Sequence, residues 1–378
     1  MKIAILGARR YPPKMSGIDK QVYNLSLRLE RMGHEVFVFV SEREGKSPSK
    51  KIHFIRIPSI SIELSDISMS YLSYNIFSVP KLVSAIRKHK IDVLHANNPP
   101  SGAIAYMVKK LTGIPVVYTL RGTIPDNRAA RGSMVSKPLS LMEKMALRAA
   151  DMSTALTEHI KRTTEKYHRR KLRMVVIPNG IDTSKKGKAG KVRKELGLKK
   201  EHKVITFVGR LVGVKGLKYL IDAMKGISKS HPDVRLLIVG GGPIKDSLEE
   251  QARRNGVKEN VIFTGPRTDV PDILADSDML VLPSLHEGFP NVVLEAMAAG
   301  RPVVATRVTS NPEIVKPEFG ALAEPRDPES LEKAISSMLS SKRLEAMGKA
   351  ALKESSNYSW ENVSRMFEKV FKEVARKR

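Results

Sequence analysis

The chain has 378 residues, too many for one ordinary domain, and its 41% hydrophobic and 28% charged residues place it among globular proteins that bury real cores. It has no cysteine, which excludes disulfides, thiol catalysis and a cysteine-ligated zinc site. Its net charge of +27 is segregated: residues 1–182 hold 31 Lys and Arg against 14 Asp and Glu, residues 183–200 hold 8 against 1, and residues 201–350 hold 20 against 20.

The apolar run in Met1–Gly7 is too short for a signal peptide, and no stretch approaches the ~18 apolar residues of a membrane span. The expected location is therefore cytoplasmic. Lys2–Leu6 predicts a buried strand, followed by a loop to Gly17 and a helix carrying Val22, Leu25, Leu29 and Met32. Met32-Gly33-His34 ends that helix, and Glu35–Ser41 is the next strand. Strand, loop, helix and strand make the opening unit of a doubly wound α/β domain. Ser16-Gly17-Ile18-Asp19 supplies one glycine at the helix start, where backbone can approach a phosphate. Further strands are expected at His53–Ile57, Val93–Ala96, Val116–Leu120, Met152–Leu156 and Met174–Ile177. Between them, Ile57–Ile86 is apolar but interrupted by polar residues and Pro80. It reads as amphipathic helix that covers the sheet or dips into a membrane interface.

After a Lys- and Gly-rich linker with a short helix (Thr183–Lys200), the pattern restarts. Strands are expected at Val204–Val208, Leu236–Val239, Val261–Thr264, Met279–Leu282 and Val303–Ala305. Helices alternate with them at Leu217–Lys225, Ile244–Arg254, Val270–Ala275 and Asn291–Ala299. The chain closes on an amphipathic helix from Trp360 onward. Two successive α/β series imply two Rossmann-like domains facing each other across a cleft. The expected division is 1–182 and 183–355, followed by 356–378.

Three segments at strand ends carry candidate chemistry. Glu287-Gly288-Phe289-Pro290-Asn291-Val292-Val293-Leu294-Glu295 lies between a strand and a helix, and Pro290 suits a first helical turn. Backbone amides at Gly288, Phe289, Asn291 and Val292 at a helix N-terminus suit a diphosphate. Glu287 and Glu295 can then reach sugar and ribose hydroxyls, or the acid can merely cap its helix. Gly209-Arg210-Leu211-Val212-Gly213-Val214-Lys215-Gly216 also follows a strand, and its two cations can neutralise a departing diphosphate or lie solvated. Gly240-Gly241-Gly242, after the next strand, permits a close backbone approach. Arg121 follows Val116–Leu120; a guanidinium there can hold the diphosphate or an acceptor phosphate, or be a surface group without a role. His95 and His159 sit beside apolar positions and read as core or surface histidines, and His286 could line a pocket. No metal-ligand spacing is visible.

Together these segments resemble family 4 glycosyltransferases of the GT-B fold. The specific parts are Glu287 and Glu295 seven residues apart and the Gly209–Gly216 motif. Pro178-Asn179-Gly180-Ile181-Asp182, Gly265 and Tyr358-Ser359-Trp360 support them. The resemblance implies retaining sugar transfer from a nucleotide sugar, with no cofactor and no catalytic metal. It also implies that 1–182 binds the acceptor and 183–355 the donor, and that 356–378 packs back on the first domain. It puts Arg210 and Lys215 on the donor diphosphate, Glu287 on the donor sugar, Glu295 on the ribose, and the backbone around Gly265–Arg267 on the base. Many relatives have His-Gly where this chain has Arg121-Gly122. The basic first half is either a generally solvated surface or faces something anionic. A nucleic acid is disfavoured because no aromatic interleaving accompanies the charge, which leaves an anionic membrane surface or a lipid-linked acceptor on its inner face. A soluble glucan synthase with a small acceptor and a sugar-nucleotide epimerase are the alternatives.

Overall fold

The structure, a computed structural model, describes residues 1–13, 17–44, 46–57, 69–125, 133–184 and 186–376, without the side chains of 69–77 and 133–136. Ser16 and most of the apolar stretch after Ile57 thus lie outside the described residues. Two compact units divide the chain: Met1–Gly180 with Trp360–Arg378, and Ile181–Ser359.

The first unit is built on seven parallel strands: β1 (Lys2–Leu6), β2 (Glu35–Val40), β3 (Ile52–Arg56), β4 (Val93–Ala96), β5 (Val116–Leu120), β6 (Met152–Ala155) and β7 (Met174–Val176). Their order is β3-β2-β1-β4-β5-β6-β7. The central strands are mostly apolar and, apart from Lys2 at the head of β1, buried, as expected where helices cover both faces. The crossover helices are α1 (Gly17–Arg31), α2 (Met69–His89), α3 (Pro99–Thr112), α4 (Ser133–Ala149) and α5 (Glu158–His168). Helix α1 buries Val22, Leu25 and Leu29 and starts at Gly17, where the expected loop ends. Helix α3 is fixed at both ends: Asn98 and Ser101 form a capping box, and Gly113 closes it in the left-handed region. Because the strand order reverses between β1 and β4, right-handed crossovers put α1 on one face and α2, α3 and α4 on the other. A short parallel pair, Arg10–Tyr11 with Glu42–Arg43, was not foreseen.

The second unit has strands β8 (Lys203–Val208), β9 (Val234–Val239), β10 (Val261–Gly265), β11 (Met279–Leu282), β12 (Val303–Thr306) and β13 (Gly320–Ala323), in the order β10-β9-β8-β11-β12-β13. Helices α6 (Leu217–Ser230), α7 (Lys245–Arg254), α8 (Asn291–Ala298), α9 (Pro328–Leu339) and α10 (Leu344–Ser355) flank it. Pro290 is the N-cap residue of α8, one position earlier than a first-turn proline. Edge strand β13 has no counterpart in the sequence reading, because its Gly-Ala-Leu-Ala carries no β-branched residue.

The last helix, α11 (Trp360–Ala375), belongs to the first unit. It lies beside α1, with Val363, Phe367, Val370, Phe371 and Val374 in one apolar cluster with α1 and the sheet. Trp360 anchors its start on Gly180. A Cβ at position 180 would lie 2.5 Å from the indole, so only glycine fits beneath the ring.

Candidate active site

The strand order of the second sheet reverses between β8 and β11, which is where open α/β sheets bind ligands. The loops leaving these two strands carry the Gly209–Gly216 motif and the Glu287–Glu295 segment. The first loop leans on the glycine turn after β9, with Gly209 N–H donating to Val239 O (2.9 Å) and Leu211 N–H to Gly241 O (2.9 Å). It ends in a single 3₁₀ turn over Gly213–Lys215, closed by Gly216 at φ 66°. A Cβ at position 216 would sit 2.0 Å from the carbonyl oxygen of Pro283, so a bare α-carbon lets the two loops meet. Leu285 N–H then donates to Val214 O (2.8 Å) across the same seam.

This seam brings Lys215 and Glu287 together. Lys215 Nζ lies 2.5 Å from Glu287 Oε1, and Ser284 Oγ donates to the same oxygen at 2.6 Å. Glu287 is 8% exposed. Its ion pair leaves Lys215 two further ammonium donors, while Arg210 is exposed and in no ion pair among the described residues. Three groups expected to face a nucleotide sugar therefore lie on two adjacent loops, two of them in direct contact.

The loop after β12 holds the Glu287 backbone. Glu287 N–H donates to Thr309 Oγ1 (3.2 Å), whose hydroxyl returns to Glu287 O (2.5 Å), and Ser310 Oγ donates to Gly288 O (2.7 Å). Thr309 has φ 42°, a left-handed conformation costly for a β-branched residue. Thr306 Oγ1 donates to Ser284 O. Sequence reasoning missed this clamp. The only signal for it was the Thr-Ser-Asn-Pro cluster at residues 309–312, which reads as an ordinary helix start.

Phe289, Asn291 and Val292 are half-buried at the start of α8, where Val293 N–H caps back on Pro290 O at 3.0 Å. The other first-turn amides of any helix lack intrahelical acceptors. Glu295 is half-buried one turn further along. Gly265 closes β10 at φ 71°, and its carbonyl accepts from Gly240 N–H at 2.9 Å. Arg267 is different: its guanidinium is bound to both Glu195 and Asp269. Those bonds raise the Arg267 pKa and hold the Asp269 carboxyl well below its usual range. The side chain is thus a bolt between the strand-end loop and the short helix Lys191–Glu195.

In the first unit, Gly17 is the exposed first residue of α1, where the buried Asp19 carboxylate accepts from Arg9 N–H at 2.7 Å. Arg121 leaves the carboxyl end of β5 and donates to Asn97 O (3.2 Å), Asn97 Oδ1 (2.7 Å) and Asn179 Oδ1 (3.1 Å). It is therefore not a surface group without partners. All three acceptors are neutral, and burial lowers its pKa to about 10, which leaves it cationic at neutral pH. Gln21, Asn97, Thr119, Arg121 and Asn179, with Trp360, line a cavity of about 10 Å³, roughly one water. His95 is wholly buried behind them. Its Nε2 meets Thr119 Oγ1 at 2.7 Å, and burial, reinforced by the Arg121 charge, lowers its pKa to about 3. It is a neutral core histidine.

Residues 15–185 match Glycosyltransferase Family 4, and residues 189–354 match Glycosyl transferases group 1. A UDP-Gal:alpha-D-GlcNAc-diphosphoundecaprenol alpha-1,3-galactosyltransferase of Escherichia coli is 32% identical over 286 residues, 72% of each chain. The chain belongs to glycosyltransferase family 4. A second relative of this family 4 enzyme is a D-inositol 3-phosphate glycosyltransferase of Segniliparus rotundus, 31% identical over 71% of this chain and 63% of its own length. Among solved structures, the sucrose-phosphate synthase of Thermosynechococcus elongatus superposes with a TM-score of 0.82 at 20% identity, covering all of both chains. Anabaena HepE in complex with UDP gives 0.79 at 21% identity, over 99% of this chain and 100% of its own. These likenesses establish the GT-B fold, with its two Rossmann-like domains. The family 4 chain is a glycosyltransferase.

Proposed function

We propose that this glycosyltransferase moves a sugar, with retention of configuration, from a nucleoside-diphosphate sugar to a lipid-linked or other membrane-associated acceptor. The observation that carries the donor half is the Lys215–Glu287 contact at the switch point of the second sheet, with Arg210 exposed on the same loop. The acceptor hydroxyl forms its bond to the anomeric carbon as the bond to the diphosphate breaks, and a diphosphate oxygen takes the hydroxyl proton. Arg210, Lys215 and the first-turn amides of α8 stabilise the charge that collects on the leaving group. In this scheme fixed cations do the work that a metal does elsewhere, so chelators leave the rate unchanged. Glu287 orients both Lys215 and the donor sugar, Glu295 receives the ribose, and backbone at Gly265–Arg267 receives the base.

Two observations support a membrane-associated acceptor: the excess of cations in residues 1–182, and the diphosphoundecaprenol in the name of the Escherichia coli relative. Inositol phosphate in the name of the other relative supports a soluble phosphorylated acceptor instead, for which Arg121 is the candidate anion contact.

Lys215→Ala should lower kcat about 10²–10³-fold, the scale for losing one group that stabilises transition-state charge, while circular dichroism shows the fold intact. Turnover at the wild-type rate would remove Lys215 from the mechanism. NMR of the product anomer tests the stereochemistry, and inversion would refute it. Thermal shifts with UDP-, GDP- and ADP-sugars identify the donor, since a bound donor raises Tm.

A further inference from the structure

Helices α2, α3 and α4 form one layer on the first sheet, with α3 packed against both neighbours. The α3–α4 contact is close because Gly102 faces Ala146: a Cβ on Gly102 would lie 2.2 Å from the alanine methyl. The outer side of this layer has an unusual composition. The three helices carry eight Lys and Arg (three on α2, two on α3, three on α4) and a single carboxylate, Glu143. Glu143 is buried against His168 and does not reach the surface.

The exposed positions fall on regular stripes. On α4, Lys137, Leu141, Lys144 and Arg148 follow one another at spacings of four, three and four, which is one face of a helix. On α3, Met107, Lys110 and Leu111 occupy the corresponding face, and Lys110 lies over the Tyr106 ring. On α2, Arg87 and Lys88 are exposed near the C-terminal end. None of the cations on these stripes is in an ion pair among the described residues, whereas the inward Lys109 is held by Asp151 at 2.8 Å. Between the cations stand large apolar side chains in water: Leu141 is 63% exposed, Leu111 57% and Met107 49%.

A solvated basic surface explains the cations and not the leucines, which lose free energy in water. A nucleic acid also answers the charge alone. An anionic bilayer answers both, because headgroups take the cations while leucine and methionine enter the acyl boundary. The opposite layer of the same sheet lacks this character, since α1 and α11 mix acids with their bases, as at Arg28–Glu361. We infer that the α2–α3–α4 face is the surface by which this protein docks on an anionic lipid bilayer. Its purpose rests on the proposed membrane-associated acceptor, but its test reads sedimentation and not transfer, so the two can fail separately.

The whole chain is sedimented with vesicles of phosphatidylcholine containing about one-third phosphatidylglycerol, and with phosphatidylcholine alone. Binding is expected to the anionic vesicles only. Each cation near such a surface contributes about five-fold to partitioning, so Lys110→Glu/Lys144→Glu/Arg148→Glu should lower it about a hundred-fold or more. Lys20→Glu/Arg365→Glu/Lys369→Glu removes the same charge from the opposite layer and should lower it less than ten-fold. Leu111→Ser/Leu141→Ser, which keeps every charge, should abolish the part of binding that survives high salt. Wild-type protein left in the supernatant overturns the inference. So does equal loss in the two triple variants, which would mean net charge alone, and so does binding of duplex DNA in place of vesicles. Vesicle binding by an enzyme that glycosylates only soluble acceptors would sustain the inference and sink the acceptor reading.

Discussion

The carboxyl ends of the two sheets are furnished in opposite ways. In the second unit, the switch-point loops are glycine-rich and meet through an ammonium–carboxylate contact, and Arg210 stands exposed beside it. In the first unit, the equivalent edge is closed by neutral amides: Asn97 and Asn179 take three hydrogen bonds from Arg121, Gln21 brackets Gly180, and Trp360 seals the end. Both edges contain an arginine on the loop after a strand. The Arg210 guanidinium is bound by no group of the fold among the described residues, and that of Arg121 spends three of its five N–H donors on the fold. An arginine at a strand's carboxyl end is thus not one kind of object. What it touches decides whether it serves chemistry or architecture.

The sharpest way to break this contrast is to remove each arginine. Arg210→Ala should lower kcat about 10²-fold and leave the urea midpoint unchanged, because no described hydrogen bond of the fold ends on its guanidinium. Arg121→Met should do the reverse in stability. It strands the Asn97 and Asn179 acceptors and lowers unfolding free energy by about 3 kcal/mol, read from urea unfolding. If Arg121→Met kept its stability and lost activity, Arg121 would be a substrate group and the contrast would fall.

A smaller effect tests how the active edge is held. Thr309 touches Glu287 only through its backbone, so it positions and does not react. Thr309→Val should lower kcat about ten-fold with little change in the KM of the donor, and Thr309→Ser should restore most of it. A change confined to KM would assign Thr309 to the donor pocket instead.

Most of this design was legible in the chain before folding. The strand–loop–helix order, the Gly209–Gly216 loop and the Glu287–Glu295 spacing are local signals, since apolar runs, glycines and a proline mark them within a few residues. What stayed hidden was long-range. Nothing local pairs Lys215 with Glu287, aims Thr309 at a carbonyl 22 residues away, or joins Arg267 to Glu195 72 residues earlier. Arg121 was legible as a cation but not as a bolt, because its partners lie 24 and 58 residues away. The layer of α2, α3 and α4 was hidden for the same reason. Its exposed stripes read singly as ordinary amphipathic helices, and only their side-by-side packing makes a surface.

The smallest effect concerns the closed edge itself. His95 lies two residues before Asn97, fully buried, with a pKa lowered to about 3 by burial first and by the Arg121 charge second. In the unfolded chain it titrates at about 6.5. Between those values the unfolded state binds a proton that the folded state refuses, so stability is complete above about pH 6.5 and falls as the pH is lowered. From pH 7.5 to 5.5 this one ring should remove about 1.4 kcal/mol. The difference between wild type and His95→Asn in urea unfolding at the two pH values isolates that contribution. Equal slopes would mean that the ring titrates normally. Arg121→Met removes only the second of the two causes and leaves the ring buried, so the loss between pH 7.5 and 5.5 should be the same in that variant.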